Sequence, residues 1–148
     1  MRIATTILIA LVAVFLGALL IPIDPEEQRP GTRLSGALAT NQQPNWDELI
    51  TPRMKILVQT QTPWLIPHSV TTISVAAGGE LYVPCARCST KRWPKNVARD
   101  PRVRLKIHGE LYDRVAVRVE DEALMRRSLG IPASEPLADV WLFRMDPA

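Results

Sequence analysis

The sequence predicts a small, mostly β domain of about six strands and short helices that closes, or nearly closes, into a barrel. One transmembrane helix precedes this domain. Three observations support this prediction. A chain of 148 residues has room for one compact domain. The stretch Ile3–Ile23 contains no charged side chain. From Lys55 onward, short apolar segments alternate with period two between turn residues, and barrel closure removes exposed strand edges.

The uncharged N-terminal stretch is the first element. Its 21 residues would extend roughly 31 Å as a helix at about 1.5 Å per residue, which matches a bilayer core of about 30 Å. The alternative is a cleaved signal peptide. That alternative is weaker because the apolar run is long for such a peptide and Leu19–Pro22 offers no small-residue cleavage site. We predict an anchor over residues 1–23, in contact with membrane lipid.

The charges on either side of this stretch predict its orientation. Arg2 precedes it, and Asp24, Glu26 and Glu27 follow it. Because Lys and Arg favour the cytoplasmic side, we predict a single-pass protein of the inner membrane whose C-terminal domain lies outside the cytoplasm. Arg29 lies close enough behind the stretch to oppose this orientation.

Residues 24–45 contain several Pro and Gly and few large apolar side chains, which predicts a linker between anchor and domain. The domain then covers residues 46–148, beginning with a short helix over Trp46–Met54 that Asn45 caps. The predicted strands are Lys55–Gln61, Ser69–Ala76, Glu80–Val83, Arg102–Ile107, Glu110–Val119 and Val140–Phe143, and a helix at Glu122–Leu129 is capped by Asp121 and ended by Gly130.

The segment from Arg87 to Lys106 holds eight Lys or Arg and one acid. Such a cluster attracts phosphate, anionic lipid or nucleic acid. Within it, Ser89, Lys91 and Arg92 directly precede a helix that Trp93 opens, which favours a phosphate site at this loop. For the three cations of the following strand, Arg102, Arg104 and Lys106, we expect a solvated strand face. Nucleic acid is not expected, because the domain is predicted to face outward and shows few exposed aromatic residues.

Cys85 and Cys88 are the two cysteines of the chain. This spacing allows a disulfide, a redox-active dithiol or half of a metal site. Zinc would require His68 and His108 to converge on both sulfurs. In an oxidising compartment we expect a local disulfide that stiffens the loop. His68 is a candidate proton donor or a structural hydrogen-bonding group, and His108 is expected in an exposed turn.

The tryptophans carry a separate prediction. Trp46, Trp64 and Trp141 are expected to pack in the core or at the barrel ends. Trp93 is a candidate for stacking on a cofactor, with core packing as the alternative.

The order of motifs resembles the flavin-binding split β-barrels, which include the pyridoxamine-phosphate-oxidase-like proteins and the deazaflavin-dependent nitroreductases. The resemblance covers roughly Lys55–Asp121 and rests on Pro67–Thr72, the Gly78–Gly79 turn, Glu80–Val83, Trp93–Val97 and Ala98–Leu105, followed by Gly109–Tyr112. The chain departs from the family pattern at Cys85–Cys88, where small or polar residues are usual, and in its predicted anchor.

The resemblance implies a split β-barrel that binds FMN or the deazaflavin F420 and reduces a small-molecule acceptor of the quinone or nitro type. The rival functions are a non-catalytic barrel that holds haem or an anionic ligand, and a thiol-redox or metal protein that uses Cys85 and Cys88. The oligomeric state stays open, with a homodimer as one option. By resemblance, Ser89, Lys91, Arg92 and Asn96 lie near the cofactor phosphate, with Trp93 beside them, and Ser69, Val70, Thr71 and Thr72 lie along the ring or ribityl chain.

Overall fold

The structure, a computed structural model, describes residues 2–148. It begins with helix α1, Arg2–Leu20, whose side chains from Ala4 to Gly17 are exposed. Within the described residues, no helix is both long enough and apolar enough to cross a membrane. The predicted transmembrane helix is therefore not supported. Met1, the first residue of the predicted anchor, lies outside the described residues.

Seven strands follow and form one sheet. Six of them close into an antiparallel barrel in the order β6-β5-β2-β3-β4-β7, because β7 pairs with β6 as well as with β4. The short strand β1 adds to β6 in parallel. The strands are β1 (Ala37–Leu38), β2 (Met54–Gln61), β3 (Pro67–Ala77), β4 (Glu80–Ala86), β5 (Arg102–Ile107), β6 (Glu110–Val119) and β7 (Val140–Pro147). The predicted mostly β barrel of about six strands is confirmed.

The barrel core follows from the period-two pattern. In β5, Val103, Leu105 and Ile107 are buried while the intervening cations point outward. The same alternation in β6 turns Arg114 inward, where its guanidinium stacks on Trp46. The barrel is filled by side chains from every long strand, among them Ile56, Val58, Leu81, Val83, Tyr112, Ala116, Phe143 and Met145.

The cations of β5 lie on the outer face, as predicted, but each has an acidic partner. Arg102 pairs with Asp100 at 2.8 Å, and Arg104 pairs with Asp113 at 2.6 Å. Lys106 pairs with Asp24. These carboxylates neutralise the strand face, so it does not form a free positive surface.

Three further α-helices pack against the barrel: α2 (Trp46–Leu49), α3 (Arg92–Arg99) and α4 (Glu122–Leu129). Asn45 caps α2 as predicted, but this helix ends at Leu49 instead of Met54. Met54 instead pairs with Ser74 as the first residue of β2, so strand pairing replaces the last predicted helical turn. The caps of α4 are those predicted: Asp121 accepts a hydrogen bond from the Leu124 amide, and Gly130 ends the helix in the left-handed conformation.

The stretch 24–45, expected as a spacer, packs along the barrel. Leu34 and Ala39 are buried. Gly31 exchanges two backbone hydrogen bonds with Ser69 of β3, at 2.9 and 3.1 Å. A Cβ on Gly31 would lie 2.6 Å from the Ser69 hydroxyl, so only glycine allows this close approach.

The tryptophans divide into two groups. Trp46 and Trp93 are buried and Trp141 is partly buried. The prediction that Trp64 packs in the core or against a barrel end is wrong, because 83% of this residue is exposed. It projects from the turn between β2 and β3, where Pro63 and the left-handed Leu65 direct the chain away from the barrel. His108 lies exposed in the β5–β6 turn, as expected.

Candidate functional site

A surface pocket of about 370 Å³ lies between the start of β3 and the loop that leads into α3. Its walls are residues 27–30 of the stretch before β1, His68 and Val70–Thr72 of β3, and Lys91–Trp93. Its volume falls in the range of small-molecule sites. Six of the nine residues predicted from the resemblance therefore lie together: Val70, Thr71, Thr72, Lys91, Arg92 and Trp93.

The loop beside this pocket is held by local bonds. Cys85 at the end of β4 and Cys88 form a disulfide, and both residues are buried. Between them, Arg87 adopts the left-handed conformation, which turns the chain into a short 3₁₀ helix over Cys88–Thr90. The Lys91 amide then donates to the Cys88 carbonyl at 3.1 Å, and α3 begins at the next residue. The disulfide therefore orients the loop that carries Lys91.

Helix α3 presents two different faces. Trp93, Asn96 and Val97 are buried against β2 and β3, and the Trp93 ring packs against Phe143 with a centroid distance of 4.9 Å. Core packing is therefore the role of Trp93, although one part of the residue lines the pocket. The N-terminus of the helix has no side-chain cap, so its first backbone N–H groups are not occupied by a side chain of the described residues.

The pocket has a positive wall. Lys91 and Arg92 are exposed, and within residues 2–148 neither forms a salt bridge. Burial, reinforced by the nearby Arg92 charge, holds the pKa of His68 below its ordinary value. His68 is therefore neutral at pH 7, and Lys91 and Arg92 supply the positive charge on this side of the pocket. Glu27 and Arg29, which also line it, add one charge of each sign.

Two residues of the β3 wall carry polar atoms without partners. The Nδ1 of His68 and the Oγ1 of Thr71 are buried and make no hydrogen bond within the described protein. Buried polar atoms are normally paired, so each of these two residues keeps a hydrogen-bonding group that the described protein does not use. Ser69 also has an unpaired hydroxyl, but Gly31 covers it and it does not line the pocket.

Two residues predicted near a phosphate are engaged elsewhere. The Ser89 hydroxyl donates to the Asp139 carboxylate at 2.6 Å, and the hydrogen bonds from Ser89 lower the pKa of this carboxyl. A phosphate at Ser89 would face a negative charge. Asn96 is 3% exposed and donates to the Thr60 hydroxyl at 3.0 Å. Neither residue lines the pocket, so of the four residues predicted near the phosphate only Lys91 and Arg92 line it.

The geometry does not favour a metal site. Among residues 2–148, no cluster of three or more His, Cys, Asp or Glu is arranged to hold a metal ion. Cys85 and Cys88 are bonded to each other, and His108 contacts the Leu49 carbonyl instead of the sulfurs. The zinc alternative raised by the sequence is therefore not supported in the described residues.

Residues 27–30 and Asp139 are the parts of this region that the sequence did not reveal. The only local signal for the first was the pair Pro30–Gly31, which is as typical of a free linker as of a packed turn. Asp139 accepts a hydrogen bond from Ser89, which is 50 residues away in the sequence, and no local sequence pattern predicts such a contact.

No protein-family profile matches this chain, and no curated protein has a significantly similar sequence. Solved structures do match. A putative pyridoxamine 5′-phosphate oxidase from Listeria innocua aligns with a TM-score of 0.52 and 19% identity, covering 63% of this chain and 82% of that one. General stress protein 26 from Bacillus anthracis str. Sterne aligns with a TM-score of 0.55 and 18% identity, covering 70% and 86%.

A third match is the haem storage protein HutZ from Vibrio cholerae, with a TM-score of 0.51 and 18% identity over 74% of this chain and 92% of that one. At these identities the similarity establishes the fold. Together with the closed six-stranded antiparallel barrel, it shows that this chain has the split β-barrel fold of the pyridoxamine-phosphate-oxidase-like proteins.

Proposed function

We propose that the barrel binds a flavin-type cofactor, FMN or F420, in the pocket between β3 and α3, and serves as an oxidoreductase for a small acceptor of the quinone or nitro type. The observation that carries this proposal is the position of two exposed cations, Lys91 and Arg92, in one pocket with His68 and Thr71, each of which has a buried polar atom without a hydrogen-bond partner in the described protein. The phosphate of such a cofactor would bind the two cations, and its polar ring and chain would form hydrogen bonds with the β3 wall.

The residues present fit such a cofactor. A phosphate carries close to two negative charges at pH 7, and Lys91 and Arg92 match that charge. The Thr71 hydroxyl can both donate and accept a hydrogen bond, and it and the His68 Nδ1 would serve as polar contacts once a bound cofactor displaces the atoms that cover them. The fold of the neighbouring structures is compatible with this use, since one of them is named as a pyridoxamine 5′-phosphate oxidase.

The cofactor and the residues of the pocket would have different roles. A bound flavin or deazaflavin would supply hydride transfer. Lys91 and Arg92 would hold the phosphate, and the disulfide-stiffened loop would limit the entropy lost when they bind. His68, whose pKa is lowered by burial and by Arg92, would stay neutral and form a hydrogen bond without adding a charge beside the ring.

The test is cofactor binding by the purified full chain in detergent. We expect FMN or F420 to bind with quenching of cofactor fluorescence. Thr71→Val removes the unpaired hydroxyl while keeping the shape of the side chain. It should leave the melting temperature unchanged or higher and weaken binding by about 10-fold or less, the scale of one hydrogen bond.

Ser74→Ala is the matched control, because this buried hydroxyl of the same strand is bonded to the Met54 carbonyl and lies outside the pocket. It should lower stability and leave affinity unchanged. Absence of binding to both FMN and F420 would refute the proposal. Haem binding by the same protein would then favour the non-catalytic barrel.

We also propose that the barrel lies in an oxidising compartment outside the cytoplasm. The Cys85–Cys88 disulfide supports this, since reducing compartments keep such thiols free. Location at the inner membrane stays a prediction. A phosphatase fused after Ala148 should be active if the domain is exported, and activity of a cytoplasmic reporter at the same place would contradict the outward orientation.

A further inference from the structure

The turn between β2 and β3 presents apolar side chains to solvent. Trp64 is 83% exposed, Leu65 is 78% exposed and Ile66 is 37% exposed. The turn is held in a defined shape. The Thr62 amide donates to the Ile66 carbonyl at 3.1 Å, and the Leu65 and Ile66 amides both donate to Thr62, at 3.0 and 3.2 Å. We call residues Trp64–Ile66 the apolar tip.

Folding does not account for these side chains. An exposed leucine gains nothing from burial, and Leu65 also adopts the left-handed conformation, with φ of 59°, which is strained for an L-residue of this size. A glycine or asparagine would satisfy the turn better. A residue that breaks both the local backbone preference and the burial preference indicates a role outside the fold.

The apolar tip lies beside a row of cations. Arg92, Lys95 and Arg99 are spaced three and four residues apart along α3 and lie on its exposed face. The Arg99 guanidinium donates to the Gln61 carbonyl, the last residue of β2, which joins this row to the base of the tip. Among the described residues, none of the three cations forms a salt bridge.

More exposed apolar residues lie at the same end of the barrel. Ile21 and Ile23, which follow α1, are both more than half exposed. The Ile23 backbone pairs with Thr32 and Arg33, next to the Gly31 bridge to Ser69. Ser69 is three residues beyond Ile66. The chain that leaves α1 therefore reaches the barrel close to the apolar tip.

We propose that this end of the barrel docks on an anionic lipid surface, with the apolar tip entering the headgroup region and Arg92, Lys95 and Arg99 contacting the headgroups. Tryptophan favours the membrane interface, and cations near an anionic surface each add attraction. A convex apolar tip beside unpaired cations matches an interface in which apolar groups enter and charges stay at the surface. Lys95 and Arg99 do not line the pocket, so they can contact headgroups whether or not a cofactor engages Arg92.

The test uses the emission of Trp64 in the full chain. Of the four tryptophans, Trp64 is the strongly exposed one, and the Trp64→Phe variant supplies the signal of the others for subtraction. The protein is mixed with vesicles of brominated phosphatidylcholine, alone or with phosphatidylglycerol. We expect quenching of the Trp64 component that is stronger with phosphatidylglycerol and weaker at high salt. Because the readout is local, attachment through another part of the chain does not reproduce it.

Two matched pairs of variants test the surface. Lys95→Gln should reduce partitioning of Trp64 into anionic vesicles by about 5-fold, whereas Lys55→Gln, at the far end of β2, should not. Leu65→Ser should reduce it, whereas Leu38→Ser, an exposed leucine beside the opposite β5–β6 turn, should not.

Three results would overturn the proposal. The first is a Trp64 component that brominated lipid does not quench. The second is an equal loss in the Lys95 and Lys55 variants, which would indicate a diffuse charge effect. The third is protection of Trp64 from aqueous acrylamide that rises with protein concentration in the absence of lipid, which would assign the apolar tip to contacts between copies of the chain.

Discussion

The Asn96 side-chain amide donates a hydrogen bond of 3.0 Å to the Thr60 hydroxyl, and this hydroxyl donates to the His68 carbonyl at 3.2 Å. The two bonds join α3 to β2 and β3 inside the core. They fix α3, which begins at Arg92 directly after Lys91 and lies opposite His68 across the pocket. Asn96 therefore positions the site without lining it.

The first prediction concerns this pair. Asn96→Ala should lower the free energy of unfolding by about 2–3 kcal/mol, because it leaves the buried Thr60 hydroxyl without one partner and opens a small cavity. In a double-mutant cycle with Thr60→Val, measured by denaturant unfolding, the two losses should not add. Strict additivity would show that the hydrogen bond contributes little to holding α3.

The second prediction contrasts the loop with the strand. Lys91→Ala and Arg92→Ala should each weaken FMN binding by roughly 1.5–3 kcal/mol, the scale of a hydrogen bond to a charged group. Arg102→Ala and Arg104→Ala should change it little, because both cations are paired with carboxylates and their distant charge is screened. Titration of the four variants with FMN measures the contrast. Equal losses at all four positions would indicate a diffuse positive patch and no phosphate site.

The third prediction concerns the disulfide. Closing so short a loop stabilises the fold by roughly 2 kcal/mol on the chain-entropy model. The Cys85→Ala/Cys88→Ala variant should therefore fold, with a modestly lower melting temperature. Alanine is the suitable replacement because both sulfurs are buried and serine would bury unpaired hydroxyls. A reductant should lower the melting temperature of the wild type and not that of the variant. Two alkylatable thiols in freshly isolated protein would contradict the disulfide.

The fourth prediction is a pH dependence at Asp24. Burial acts to raise the pKa of this carboxyl, but the hydrogen bonds from Lys106 and Ser35 outweigh it and leave the pKa below its ordinary value. Because the folded-state pKa is lowered, the contribution to stability is present above an ordinary carboxyl pKa of about 3.9 and is lost as the pH falls through the folded-state value.

The measurement is urea unfolding of the wild type and Asp24→Asn between neutral and acidic pH. The wild type should be more stable at neutral pH, by ~1 kcal/mol or less for a partly exposed pair. The difference should shrink as Asp24 becomes protonated. A difference that is constant across this range would show that the charge of Asp24 does not hold residues 24–45 against the barrel.

The fifth prediction concerns the strained leucine. Leu65→Gly should keep or raise the free energy of unfolding by up to ~1 kcal/mol, because relief of the left-handed conformation is offset by the greater freedom of glycine when unfolded. Thermal unfolding in the absence of lipid measures it. A loss of more than ~1 kcal/mol would show that the Leu65 side chain contributes to the fold.

Local chemistry determined much of this protein from the sequence alone. The alternation in Arg102–Ile107 predicts a half-buried strand, because successive side chains of a strand point to opposite faces. Asp121 and Gly130 mark the ends of α4, because helix termini need a side-chain acceptor or a left-handed residue. The close spacing of Cys85 and Cys88 allowed the disulfide that the structure contains.

Contacts between distant residues were decided only by the tertiary structure. Ser89 forms a hydrogen bond with Asp139, 50 residues away, and Asn96 forms one with Thr60, 36 residues away, so neither side chain is available to the pocket. Residues 24–45 pack on the barrel instead of standing free, because Gly31 meets Ser69 and Asp24 meets Lys106. Sequence periodicity reports which face of an element a side chain occupies. Which partner satisfies that side chain depends on how the closed barrel brings remote strands together.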